Sequence, residues 1–182
     1  MKIYNVLNKN YKIIEGDISY FDSCCRLLDS IKEDFKLRGL DIYQDGYPNY
    51  EIIKNDLLNK GNTLLLIDEN NEVVAQITST YDELNFLFDK EEVKNILDFY
   101  HLEDIPYIGL SRLFVHRSLR SQGIATFLIK EMENKYKNKT VIFFVHLTNS
   151  NALRLYESLG FKNLGIYNFV FGEFYTFIKE IN

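Results

Sequence analysis

The apolar residues Phe21, Cys24, Cys25, Leu28, Ile31 and Phe35 recur at the spacing of one helical face, which predicts a helix over about 21–35. Gly16, Asp17 and Ser19 precede it with turn and N-cap chemistry, and YKIIE (11–15) before them reads as a strand. A second helix is predicted at about 50–60, ending at Gly61. TLLLID and EVVAQITST then read as two strands joined through Glu69, Asn70 and Asn71, a hairpin pattern. Between Tyr81 and Asp104 the periodicity weakens, and a helix over about 90–99 fits it best.

The later half is more regular. IGLSRLFV (108–115) is a strand, 122–136 a helix with Ile124, Phe127, Leu128 and Met132 on one face, and TVIFFVHL (140–147) a nearly all-apolar strand. Strand, helix, strand in that order, with apolar residues on both strand faces, predicts a parallel pair joined by a crossover. A helix at about 150–159 stops at Gly160. Strands near 161–169 and 173–179, with Gly172 between them, close the chain as a hairpin. Within 108–115, Ile108 and Leu110 are apolar at even positions but Leu113 and Val115 at odd ones, with Ser111 and Arg112 between. A β-bulge near Ser111 to Leu113 produces such a slip. A strand buried on both faces, in which parity means little, is the alternative.

Composition narrows the classes. A chain of 182 residues, 46% hydrophobic and without repeats, low-complexity tracts or linkers, is read as one domain, 1–182. A net charge of −5 with no basic stripe argues against nucleic-acid binding. The longest strongly apolar run, VIFFV, is far too short to cross a bilayer, and MKIYNVLNKN lacks a signal-peptide core, so no membrane association and a cytoplasmic location are expected. Adjacent Cys24 and Cys25 form neither a disulfide framework nor a spaced metal pair, and are expected to pack in the core.

Candidate chemistry concentrates where the strand 108–115 gives way to the next helix. The turn R-S-Q-G-I-A (120–125) puts Arg120, Gly123 and Ala125 at a helix N-terminus, where unpaired N–H groups and partial positive charge favour an anion. A tight turn that merely needs glycine reads the same way. A Walker-type nucleotide loop is disfavoured, because no Gly-Lys-Ser/Thr ending follows. One strand further on, TNSNALRLYESLGF (148–161) holds Asn149, Ala152, Tyr156, Gly160 and Phe161 at fixed offsets.

With both stretches in hand the chain resembles the GNAT superfamily of acyl-CoA-dependent N-acyltransferases. Arg120, Gly123 and Ala125 match its pyrophosphate loop, and the N-x-x-A-x-x-x-Y-x-x-x-G-F beginning at Asn149 matches its next motif. The resemblance covers roughly 108–161. It implies an α/β fold with a central mixed sheet of about six to seven strands, helices on both faces and a splayed parallel pair. It further implies acetyl-CoA as co-substrate, without a metal, and a small-molecule or peptide amine as acceptor. By the same resemblance the backbone of Leu113, Phe114 and Val115 would pair with the pantetheine arm. Arg120 and the amides of Ser121, Gln122, Gly123, Ile124, Ala125 and Thr126 would hold the pyrophosphate. Asn149, with Ala152 on the same helix, would lie near the pantetheine, a backbone N–H at the bulge would polarise the thioester carbonyl, and Tyr156 would protonate the departing thiolate.

An amine attacks only when neutral, so its proton must leave to a carboxylate, a histidine or a water chain. Glu83 is the candidate base, with Glu103 and Asp104 as further acids in the approach to the central strand, and each is equally readable as a solvated surface acid. Of the histidines, His116 lies in a turn, His101 in the weakly patterned segment, and His146 near the end of a buried strand. Family analogy places LDIYQDGYPN (40–49) beside the acceptor, where Tyr43, Asp45 and Tyr47 would suit a cationic amine. An ordinary capped loop fits the same letters. Two function classes remain: an N-acetyltransferase, monomeric or homodimeric, and a non-catalytic acyl-CoA-binding or interaction module on the same fold.

Overall fold

In a computed structural model describing residues 2–6, 9–80, 90–101, 107–146, 148–169 and 172–181, most elements start where the local chemistry places them. Asp17 accepts the Ser19 N–H at 2.8 Å and opens a single 3-10 turn, Ile18–Tyr20, that runs into helix α1, Phe21–Leu37. Asn49 accepts the Ile52 N–H at 3.0 Å and caps helix α2, Tyr50–Leu58. The chain forms two compact units, each assembled from two stretches: Met1–Thr78 with Arg112–Glu131, and Ser79–Ser111 with Met132–Asn182.

The first unit carries strands β1 (Lys2–Val6), β2 (Lys9–Glu15), β3 (Thr63–Ile67) and β4 (Val73–Thr80), antiparallel neighbours in that order, and the end of β5 (Tyr107–Val115) beside β4. Strand β1 is the difference from the sequence reading: its opening residues carry no strand signal, yet they pair from Lys2↔Ile13 to Val6↔Lys9. Eight strands therefore stand among the described residues, where six to seven were expected. The β3–β4 hairpin is held at its turn by Asp68, whose carboxylate accepts the N–H groups of Asn70 and Glu72 at 2.9 Å each.

Cys24, Leu28 and Ile31 of α1, with Ile53 and Leu57 of α2, bury against Leu65, Ile67 and Phe114. Leu27 is buried on the same helix, while Phe21 and Phe35 pack at the cluster's edge. Gly16 is required by close approach: a Cβ there would lie 2.9 Å from Leu57 Cδ2 and 3.2 Å from Thr63 Cβ. Both cysteines are free and buried, and burial pushes their thiols up to about 12 for Cys24 and about 11 for Cys25. They act as small apolar groups rather than nucleophiles.

The second unit carries the start of β5, then β6 (Lys139–His146), β7 (Lys162–Phe169) and β8 (Gly172–Ile181), ordered β5-β6-β8-β7. Strands β5 and β6 are parallel, from Tyr107↔Thr140 to Gly109↔Ile142, as the crossover pattern requires, whereas β6 pairs with β8 antiparallel all the way to His146↔Phe174. Helix α3 (Lys90–Tyr100) is tied to β8 by Tyr100, whose hydroxyl donates to Thr176 Oγ1 at 3.0 Å. Helix α4 (Ile124–Lys135) starts in the first unit and ends in the second, and helix α5 (Ser150–Ser158) lies wholly in the second. Tyr156 of α5 packs edge-on against Phe161 and tilted against the fully buried Phe177, at ring separations of 5.8 and 5.7 Å. Among the described residues no helix is long and apolar enough to cross a membrane.

Phe177 is the fully buried side chain at this aromatic centre, so Phe177→Ala is expected to destabilise the protein by about 3–5 kcal/mol. Urea denaturation of the two proteins, read from the shift in midpoint at constant slope, measures that loss.

Candidate active site

Strand β5 sets the first part of the site. Burial alternates along it without a slip: Ile108, Leu110, Arg112 and Phe114 are buried, and the odd positions are half-buried. The apparent change of phase at Leu113 and Val115 thus comes from partial burial of the second face, and the polar residue at a core position is Arg112. A backbone irregularity falls within the Ser111 to Leu113 window: Arg112 has φ +47°, a left-handed conformation costing about 1–3 kcal/mol in a residue with a Cβ. Its side chain is only 3% exposed. Nε and Nη2 donate to the two carboxylate oxygens of Asp56 at 2.5 and 2.9 Å, and Nη1 donates to the Tyr47 hydroxyl at 2.8 Å. Sequence reasoning missed this pair, although Phe114, in phase with Ile108 and Leu110, marks position 112 as a core position holding a charge.

After Val115 the chain makes a 3-10 turn, Arg117–Leu119, and reaches the N-terminus of α4. Ser121 and Gly123 both take left-handed conformations, φ +60° and +78°. The first intrahelical bond runs from Phe127 N–H to the Gly123 carbonyl at 2.9 Å, so the amides of Ile124, Ala125 and Thr126 have no acceptor within the helix. Successive N–H groups around such a turn form a concavity for an anion. Gln122 donates to the Ser118 carbonyl at 3.0 Å, while its Oε1 is buried without a hydrogen-bond partner. Arg120 is anchored: Nη1 meets Asp34 Oδ2 at 2.5 Å, Nε donates to the Val115 carbonyl at 3.2 Å, and the group lies over the Phe35 ring. Asp34 neutralises part of its charge and leaves Nη2 as its donor for an anion. These residues fit a pyrophosphate, with the backbone supplying more of the site than the arginine.

The second motif lies in the other unit. Asn149 caps α5, its Oδ1 accepting the Ala152 N–H at 3.3 Å, and this leaves its amide NH2 as a donor. Ala152 follows in the first turn, and Tyr156, one helical turn further on, is 6% exposed.

In the loop 40–49 the structure brings Tyr43 and Tyr47 together with the end of β5. Tyr43 packs on Phe35 and on Phe114, ring separations 5.8 and 5.6 Å, and Tyr47 reaches Arg112. Asp45 is exposed, and its carboxylate accepts the Tyr47 N–H at 3.2 Å. Glu83, Glu103 and Asp104 lie outside the described residues. His116 lines a cavity of about 540 Å³ in the first unit, together with Ser23, Arg26, Glu72 and Ser118. Burial, then the cations Arg117 and Arg120, hold its imidazole below the ordinary value, and its Nδ1 is 2.8 Å from Ser118 Oγ. Among the described residues no group of three or more His, Cys, Asp or Glu is arranged to hold a metal ion.

The chain is thus an α/β protein with a mixed sheet, a parallel pair, and an anion-suited helix N-terminus that follows β5 after one 3-10 turn. The model of the acetyltransferase (GNAT) family matches residues 26–161, and the chain belongs to that family. A GNAT-family acetyltransferase from Streptococcus agalactiae 2603 is similar in fold, with TM-score 0.74 and 16% identity over 100% of this chain and 99% of the other. One from Listeria monocytogenes 4b F2365 has TM-score 0.72 and 14% identity over 98% and 99%. NAA60 of Arabidopsis thaliana, solved in complex with acetyl-CoA, has TM-score 0.63 and 18% identity over 94% and 99%. No curated protein sequence matches the chain.

The Asp34–Arg120 contact makes a pH prediction. Burial raises the Asp34 pKa, but the hydrogen bond and charge of Arg120, helped by Arg38, outweigh it and hold the carboxyl below its ordinary value. A carboxyl depressed on folding contributes stability above its unfolded pKa of about 3.9 and loses that contribution as pH falls through the lower folded value. Asp34→Asn is expected to cost no more than about 1 kcal/mol near neutrality, since the pair is partly solvated. The difference from wild type should begin to shrink as pH drops below about 4 and disappear only below the lowered folded value. Denaturation midpoints of both proteins across pH 3 to 7 check it.

Proposed function

We propose that the chain is an N-acetyltransferase of one catalytic domain, 1–182, acting in the cytoplasm as a monomer or homodimer and moving an acetyl group from acetyl-CoA to a primary amine. The observation that carries the reading is the N-terminus of α4, where the amides of Ile124, Ala125 and Thr126 lack intrahelical acceptors beside left-handed Gly123. In this reading the amides from Ser121 to Thr126, with Arg120 Nη2, bind the pyrophosphate. The backbone of Leu113 to Val115 aligns the pantetheine, and Asn149 donates to it next to Ala152. The neutral amine attacks the thioester carbonyl directly, through a tetrahedral intermediate, and the carbon–sulfur bond breaks. Tyr156 donates its proton to the departing thiolate, whose ordinary pKa near 8.5 makes it a tolerable leaving group. The attacking nitrogen loses its proton to a base, for which Glu83 is the candidate. Asp45, beside Tyr43 and Tyr47, supplies counter-charge for a cationic acceptor.

A non-catalytic acyl-CoA-binding module is favoured by one observation, the burial of Tyr156 between Phe161 and Phe177, which a packing role also explains. Tyr156→Phe separates the two readings. The enzyme reading expects kcat to fall roughly 10- to 1,000-fold with acetyl-CoA affinity nearly unchanged, whereas equal turnover would leave the phenol a packing residue.

The loop is tested separately. Gly123→Val adds a side chain where phosphate would approach and at a backbone angle that valine tolerates poorly, so acetyl-CoA binding should weaken at least about tenfold, or 1.4 kcal/mol. Calorimetric titration of a variant shown to be folded reads the loss, and unchanged affinity would remove the phosphate assignment from this loop.

A further inference from the structure

We infer that Arg112 and Asp56 are positioning residues for acyl transfer, holding the backbone of β5 from Leu113 to Val115 in the conformation the thioester requires; the inference rests on the acetyl-CoA reading above. Three features meet at this point of the strand. Arg112 is in a left-handed conformation in mid-strand. Its side chain is buried and fastened to both oxygens of Asp56 and to the hydroxyl of Tyr47. Next to it, Ser111 Oγ is buried with no hydrogen-bond partner.

Stability alone gives little reason for such an arrangement. A buried arginine–carboxylate pair commonly contributes no more than apolar packing in its place, and a regular strand would avoid the strained residue altogether. Strained backbone persists where its surroundings over-determine it, and the three bonds on one guanidinium do so here. What this fixes is the direction of the peptide groups that follow, beginning with the Leu113 N–H. Those are the groups assigned above to the pantetheine and the thioester carbonyl. Arg112 and Asp56 act only through that backbone and touch no reacting atom. Tyr47, the third member, belongs to the loop proposed for the acceptor, so the same guanidinium bonds to that loop and sets the strand.

The test uses the full-length chain labelled with 15N, titrated with acetyl-CoA and with CoA, followed at the Leu113 amide. In the wild type, acetyl-CoA should move the Leu113 amide proton downfield relative to CoA, because only the acyl form brings a carbonyl oxygen to it. The double variant Asp56→Val with Arg112→Met keeps the site apolar and removes the anchor. It should bind CoA within about threefold of wild type, lose the acyl-dependent shift, and turn over any accepted amine roughly 10- to 100-fold more slowly. Asp56→Val with Arg112→Gly should recover part of the shift, since glycine adopts the left-handed conformation freely. Asp56→Asn, which preserves volume and a hydrogen bond, should lose a smaller part of it and carries the test if the double variants do not fold. A wild-type protein that binds no acetyl-CoA would sink the functional reading and this inference together. Binding by the wild type, with the shift intact in the Met or Asn variant, or with no recovery in the Gly variant, would overturn this inference alone.

Discussion

The candidate site depends on one strand that changes backbone conformation part-way along. Up to Gly109, β5 is an ordinary parallel neighbour of β6, and its residues through Ser111 belong to one compact unit. From Arg112 onward it belongs to the other, and Arg112 is the residue with positive φ. A β-strand of L-residues does not adopt that angle unaided. The buried Asp56 carboxylate and the Tyr47 hydroxyl hold the arginine there. Downstream of it lie the half-buried Leu113 and Val115, the turn at Arg117–Leu119 and the start of α4.

Charge is used sparingly at the helix N-terminus that follows. An arginine next to exposed amides looks, in a sequence, like the main attraction for an anion. In the fold Arg120 leans on Asp34, the Val115 carbonyl and the Phe35 ring, so it fixes the turn as much as it charges it. In the proposed anion site the amides of Ile124 to Thr126, beside the left-handed Ser121 and Gly123, stand with that arginine as donors, and salt screens such a site less than it does an exposed cation.

How much of this was legible beforehand differs by element. The α1 face from Phe21 to Phe35, the Asp17 cap, the β3–β4 hairpin and the parallel pair follow from periodicity and turn chemistry, because each reflects contacts made within a few residues or one crossover. The two motifs were legible for the same reason, since a helix N-terminus needs only its own sequence. Strand β1 was not: its pairing partner supplies its structure, and MKIYNV lacks a marked alternation. The Arg112–Asp56 pair was not legible either. Its members stand fifty-six residues apart, and nothing in the strand's own sequence names the partner of Arg112. The segment holding Glu83 had weak periodicity, and its residues lie outside those described.

The central claim is that the chain moves an acetyl group rather than merely binding its carrier. The most direct measurement is release of free thiol from acetyl-CoA in the presence of a panel of primary amines, small polyamines, amino acids and peptides with free N-termini, with mass analysis of each amine. The account predicts thiol release that depends on at least one amine and equals, mole for mole, the acetylated product. Tight acetyl-CoA binding with thiol release that no amine raises above the amine-free rate would contradict it.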